Sequence, residues 1–341
     1  MTWRALAELR PSLEATKGLL FPFSLRRWLA LGVIAFFVSG ASGANPNLSM
    51  TGGGTSEESP AVDSAPIDGV ATLSDAEIVL ALLIVGLAVA IGLALLLVGA
   101  IMEFVFVRVA TERDVRIRGY VGENVSRGTS LFLFRLGIVF VLLALFVAPV
   151  LAAFVLSPVF VVLVVLLVPG FLLAGIGLWL VLRFTADFIV PVMVVEDLGV
   201  LAGWRAFWPA LVDDWKQYGV YAVARLLLGI GAGVLAGLGF VAVGLALLVP
   251  FGLVGAVVYL VFGVLAGVTW LAVASLVVLA ALYALAVLVS GVTCVQVPIQ
   301  TYLRYYSLFV LGSVTPRFDV VEAVRSEVGD PAGDRSPTDG R

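Results

Sequence analysis

Ile78–Val107, IVLALLIVGLAVAIGLALLLVGAIMEFVFV, carries one charge, Glu103, in thirty residues. A helix of that length reaches about 45 Å, more than the roughly 30 Å of hydrocarbon in a bilayer. No soluble helix keeps an apolar surface on every side over such a length, so the segment reads as a membrane span. The whole chain agrees with it. Its 341 residues are 62% hydrophobic and 13% charged, whereas a soluble protein is nearer half apolar and a quarter charged.

Working outward, Trp28–Ala44 is a shorter apolar segment, and 45–77 is a polar outer loop with three prolines, Gly52-Gly53-Gly54 and no basic residue. Residues 108–130 are polar and rich in arginine. Apolar runs near 131–156 and 159–182 follow, separated by Ser157-Pro158, which fits a helical hairpin. Residues 183–218 are mixed. From Gly219 to Val297 only Arg225 is charged, with breaks at Pro250-Phe251-Gly252 and near Thr269-Trp270.

The expected fold is all-α, a polytopic transmembrane bundle of about six spans arranged as three hairpins, with cytoplasmic interfacial helices. Its parts are an amphipathic N-terminal segment at 1–27, a transmembrane domain at 28–312, and a disordered acidic tail at 313–341. The outer loop is 45–77, and 108–130 and 183–218 are cytoplasmic loops. Basic residues favour the cytoplasmic side. With both termini in the cytoplasm of a cell-membrane protein, none of the 20 basic residues falls in an outer loop. This six-span reading makes 251–270 a re-entrant or obliquely packed segment. Three spans at 219–248, 251–269 and 272–300 would give seven and place the C-terminus outside. Arg26-Arg27, the apolar stretch and Ser42-Gly43-Ala44 also resemble a signal peptide with its cleavage site.

The residues that bear chemistry are few. Without histidine the chain lacks the usual general base, and with Cys294 alone it has no intrachain disulfide. No cofactor, metal or nucleic acid is expected, and the chain reads as non-enzymatic. Gly231-Ala-Gly233-Val-Leu-Ala236 fits a dinucleotide fingerprint, but inside an apolar helix it lacks the strand that motif requires. Charges beside apolar spans are costly, so Glu103, Arg135, Arg183, Asp187 and Arg225 form a candidate polar cluster. Arg183 and Asp187 stand four apart and can pair on a helix. The cluster reads as a vestibule open to the cytoplasm or, more blandly, as snorkelling ends with a structural ion pair.

Trp204, Trp208 and Trp215 recur on an amphipathic pattern over 199–218, suited to the headgroup layer and to anionic lipids. Pro209 is a possible break in it. Trp3, Leu6, Leu9, Leu13 and Leu20 make a weaker version near the N-terminus. Gly229, Gly233 and Gly237 leave one helix face bare for close packing. Asn47-Leu48-Ser49 is a possible glycosylation sequon in the outer loop, and Asn124-Val125-Ser126 another on the opposite side.

Two stretches carry a resemblance: ADFIVPVMVVEDLGVLAGWRAFWPALVDDWKQY at 186–218 and VPIQTYLRYYSLFVLG at 297–312. Both resemble uncharacterised haloarchaeal multi-pass membrane proteins and, more distantly, the membrane domain of glycerophosphodiester phosphodiesterases. Eighteen arginines against two lysines, with abundant Val, Ala and Gly, have the same haloarchaeal look. The resemblance implies an architecture and carries no catalytic residue. The leading functional reading is a membrane-organising protein whose partner is the lipid bilayer. The alternative is a transporter or channel-like protein.

Overall fold

The computed structural model describes residues 4–21, 23–41, 74–114, 117–156 and 158–329, and every regular element among them is helical. The order is α1 (Arg4–Ala7), α2 (Leu9–Leu20), α3 (Leu25–Ala41), α4 (Asp75–Glu112), α5 (Ile117–Leu156), α6 (Pro158–Phe184), α7 (Val190–Glu196), α8 (Val200–Asp213), α9 (Trp215–Val258), α10 (Thr269–Gly291), α11 (Val297–Val314) and α12 (Glu322–Gly329). Five helical stretches are long and apolar enough to cross a membrane: Asp75–Glu112, Gly119–Val147, Val168–Glu196, Trp215–Leu265 and Thr269–Val314. α3 has 17 residues, and the chain that would extend it to a full sixth crossing lies outside the described residues.

Local chemistry sets the ends of these rods. Ser74 caps α4 reciprocally with Glu77, which satisfies donors the helix cannot pair. Arg113 closes α4 in the left-handed region, at φ 53°. α5 then returns along α4, and Gly128 lets the backbones meet: a Cβ there would stand 3.0 Å from the Ile101 Cα. α5 and α6 are antiparallel, with Phe146 against Phe171. α9 and α10 are antiparallel too, joined through Gly267 at φ 66°.

Two prolines explain two irregularities. Pro191 and Pro298 each stand second in a helix, directly after a π-helical turn, Thr185–Ile189 and Val292–Gln296. A proline inside a helix has no N–H to donate and its ring crowds the preceding turn. Widening that turn absorbs the misfit without breaking the rod. The Val-Pro pairs at 190–191 and 297–298 therefore occupy equivalent places in two hairpins.

The rods differ along their length. The first half of α4 is exposed on all sides, whereas Gly99–Val107 are buried. α9 behaves alike: Tyr218, Tyr221 and Arg225 are buried, and nearly all large residues beyond them are exposed. Bare valine and leucine on every face suit hydrocarbon, not water. The packed end is built on Phe104 and on Phe188, Phe207, Tyr218, Tyr221 and Tyr306, and the rings of the last five stack or meet edge-on. α2 and α12 close that end with Ala15, Leu19, Phe309, Val321 and Val324.

The structure corrects several expectations. Residues 251–265 are neither re-entrant nor a separate span: α9 passes through Pro250 and continues as a π-helical segment, Tyr259–Leu265. One hairpin thus accounts for 215–314. Most of 108–130 is helical, because α4 extends to Glu112 and α5 begins at Ile117. Within 183–218, too, most residues are helical. The tail is not disordered throughout 313–341. Phe318, Val321 and Val324 are buried, Arg325 pairs with Asp319, and Arg113 reaches Glu327 at 2.8 Å. Residues 330–341 lie outside the described residues.

The expected apolar face of the N-terminal helices is divided, with Leu20 buried. Ala5, Ser12, Ala15 and Thr16 face inward, and Leu6 and Leu13 face out. The inward face docks closely because its side chains are small. Glu8 sits half-buried beside Ser313; desolvation pushes its carboxyl up, with Arg325 and the Ser313 hydrogen bond opposing. Arg4 donates to the Ser313 carbonyl at 2.8 Å, so both ends of the described chain meet at one end of the bundle.

Candidate functional site

The five charged residues singled out from the sequence converge at the junction of the packed end and the exposed rods. Each comes from a different turn of a long helix: Glu103 from α4, Arg135 from α5, Arg183 and Asp187 from α6 and its π-turn, Arg225 from α9. Glu103 is 1% exposed, Asp187 4%, Arg225 8% and Arg135 9%. Arg135 Nη2 lies 2.5 Å from Glu103 Oε1. Arg183 Nε is 2.8 Å from Asp187 Oδ2. The same Oδ2 accepts the Tyr221 hydroxyl at 2.8 Å and has Arg225 Nε at 3.6 Å. The expected i,i+4 pair therefore exists, inside a larger network.

The sequence reading left out the residue that ties the network together. Arg304 of α11 is 6% exposed. It donates to the Ala186 carbonyl at 2.6 Å and to the Glu103 carbonyl at 3.0 Å. Its guanidinium also lies over the Phe106 ring, 5.7 Å from the centroid. Ala186 belongs to the π-turn, where backbone pairing shifts register, so the bend that Pro191 imposes also presents a carbonyl to Arg304. Gln300, one turn before Arg304, joins the same wall. A signal was present: Arg304 is the one charge in VPIQTYLRYYSLFVLG, a stretch otherwise uncharged.

The charges do not balance. Four guanidinium groups, Arg135, Arg183, Arg225 and Arg304, meet two carboxylates, Glu103 and Asp187. Within the cluster Arg135 Nε and Nη1, Arg225 Nε, Arg304 Nε and Glu103 Oε2 are buried without a hydrogen-bond partner. A cavity of about 20 Å³ opens among Glu103, Arg183, Asp187, Arg225, Gln300 and Arg304, with Val38 and Phe106 at its apolar edge. That volume holds about one water molecule. Among the described residues no group of three His, Cys, Asp or Glu side chains is placed to hold a metal ion.

The remaining candidates are placed as follows. Trp204 turns inward and donates Nε1–H to Thr185 Oγ1 at 3.1 Å, whereas Trp208 and Trp215 are exposed. The three do not share one face. Pro209 sits inside α8 without ending it, and the break falls at Asp214, so Trp215 opens α9. Gly237 is open, and Gly229 approaches only Arg225 of its own helix. Gly233 is partly buried. The close approach of the hairpin uses other glycines: Gly239 meets Val295, and Gly291 meets the Phe240 ring. Asn47 lies outside the described residues. Asn124 is fully buried, donating to the Tyr120 carbonyl and accepting from Arg127, so its sequon is closed to modification.

Comparison with curated proteins and with solved structures returns no match. A family model does match, over residues 3–321, which takes in all the apolar rods and the whole arginine cluster and stops just before α12. The chain belongs to a family of unknown function, DUF7544.

Proposed function

We propose that this is a non-enzymatic protein of the cell membrane that organises lipid at the packed end of its bundle, with that end in the cytoplasm. One observation carries the reading. α8 buries Val200, Gly203 and Phe207 on one side, while Leu201 (67%), Trp208 (57%), Val212 (52%) and, at the start of α9, Trp215 (64%) stand exposed. An apolar face with two indoles suits the headgroup layer, where the ring is apolar and its N–H finds a polar partner. Lys216 and Arg205 flank that face, each worth about 1 kcal/mol against anionic phosphates. Asp213 and Asp214 oppose them, so the attraction is modest and salt-sensitive. The haloarchaeal likeness of the composition bears on this balance. At molar salt the screening length shrinks to about 3 Å, which leaves the indoles as the main contact.

Brominated phospholipids in nanodiscs test the reading on the full chain. Trp208→Phe with Trp215→Phe is expected to remove a blue-shifted emission component that bromine quenches, and Trp204→Phe is not. If acrylamide quenches that component and bromolipid does not, the α8 face lies in water and the lipid-organising reading fails.

Orientation is tested separately. Arg4, Ser313, Arg113, Glu327, Arg317 and Glu196 meet at the packed end, which supports placing both termini on one side. In a Cys294→Ser background, Ser56→Cys is expected to react with an impermeant maleimide in intact cells, and Arg335→Cys only after lysis. Labelling of both in intact cells would overturn the topology.

A further inference from the structure

We infer that the arginine cluster between α4, α6, α9 and α11 is a binding site for a phosphate oxyanion, a ligand beyond the α8 lipid contact. The cluster holds two more positive charges than negative ones in a place water scarcely reaches. An excess of that kind is costly in or beside hydrocarbon, and it is relieved by an anion of matching geometry. Guanidinium forks match phosphate oxygens better than they match a spherical anion. The donors are ready: Arg225 and Arg304 line the cavity and are more than nine-tenths buried, Arg304 keeps an unpartnered Nε, and Arg225 Nε makes no hydrogen bond and stands 3.6 Å from Asp187. Gln300 adds an amide to the wall. Glu103 and Asp187 also line the cavity and oppose the anion, so the net attraction rests on the two-charge excess of arginine.

The size of the cavity narrows the ligand. Space for about one water admits a single oxygen, so the rest of the phosphate and its substituent remain at the mouth. A nucleotide cannot be enclosed there. The mouth is edged by Val38, Phe106 and Leu303, which suits an apolar substituent. An apolar groove of about 220 Å³ runs between α3 and α10, among Leu29, Val33, Phe36, Val289 and Val292. α3 lines both features, with Phe37 in the groove and Val38 in the cavity. A phosphate with acyl chains fits the two together, and free phosphate fits the cavity alone.

The test uses the full-length protein, delipidated in a neutral detergent, with thermal unfolding read by intrinsic fluorescence. The probes are dihexanoyl phosphatidylglycerol, inorganic phosphate and dihexanoylglycerol. Phosphatidylglycerol is expected to raise the unfolding midpoint in a saturable way, and the uncharged diglyceride is not. A shift with inorganic phosphate at similar concentration assigns the site to free phosphate, and a shift with the phospholipid alone assigns it to a headgroup. Arg225→Gln is expected to raise the half-saturating concentration at least about tenfold, the scale of one charge-assisted contact. Arg225→Lys, which keeps the charge, recovers part of it. Trp208→Phe with Trp215→Phe leaves the shift unchanged, so failure of the α8 reading and failure of this one are separable. The proposal is overturned if no phosphate probe shifts folded wild-type protein, if the diglyceride acts equally, or if folded Arg225→Gln responds as wild type does.

Discussion

Asp187→Ala is expected to be the most damaging single truncation in the chain, costing about 3–5 kcal/mol in unfolding from detergent micelles or bicelles. Two donors lose their acceptor and a third cation loses its ion-pair partner at once: Arg183 Nε at 2.8 Å, the Tyr221 hydroxyl at 2.8 Å, and Arg225 Nε at 3.6 Å. Leaving buried cations unpaired costs far more than forming the pairs contributes. The cluster already holds a positive excess, and this change raises it by one. Asp187→Asn keeps an acceptor for Tyr221 and removes only the charge, so it should fall between wild type and alanine. Adding Arg183→Ala to Asp187→Ala should recover less than half of the loss, since Arg225 and Tyr221 remain unserved. Full recovery in the double variant would mean that Arg183 and Asp187 act as an isolated pair. A cost for Asp187→Ala below about 1 kcal/mol would mean that water reaches the site as it reaches an exposed ion pair.

That network shows how far the sequence could be read. The spans were legible because thirty residues with one charge leave a single physical solution, and Ser157-Pro158 marked a hairpin because proline interrupts a helix. The partnership of Arg183 with Asp187 followed from helical spacing. Its other members come from α4, α5, α9 and α11, more than thirty residues away, and no spacing rule connects them. Arg304 stands at the end of a span, where a basic residue ordinarily snorkels to water. The structure turns it inward, since the π-turn at Thr185–Ile189 offers a carbonyl there. The glycine stripe misled for a similar reason. Gly229, Gly233 and Gly237 share a face, but which face meets the returning chain depends on how α9 is rotated, and Gly239 rather than Gly237 makes the contact, with Val295 in the π-turn after α10. Disorder at 313–329 was inferred from polarity, yet Phe318, Val321 and Val324 are enough to anchor that segment against α2 and α11.

Arg304→Met is expected to loosen the junction itself. Methionine fills much of the same volume and supplies no donor, so the Ala186 and Glu103 carbonyls both lose their side-chain partner. A buried polar group stripped of its partner costs about 1–3 kcal/mol, and two of them about twice that. Loss of the contact over Phe106 adds roughly 0.5–2 kcal/mol. Against these stands relief of like-charge repulsion, because the positive excess falls from two to one. Arg304 is held by neutral carbonyls rather than by an ion pair, so the hydrogen-bond losses should dominate and the variant should be destabilised by several kcal/mol. Arg304→Lys separates the two effects. It keeps the charge, but one ammonium cannot reproduce a fork that spans two carbonyls on different helices, so it should sit well below wild type. Hydrogen exchange gives the local readout: amides of 185–196 and 103–107 should exchange faster in both variants, while those of α10 stay as in wild type. An Arg304→Lys protein as stable and as protected as wild type would show that charge alone, and not the bridge between α4 and the π-turn, is what this position requires.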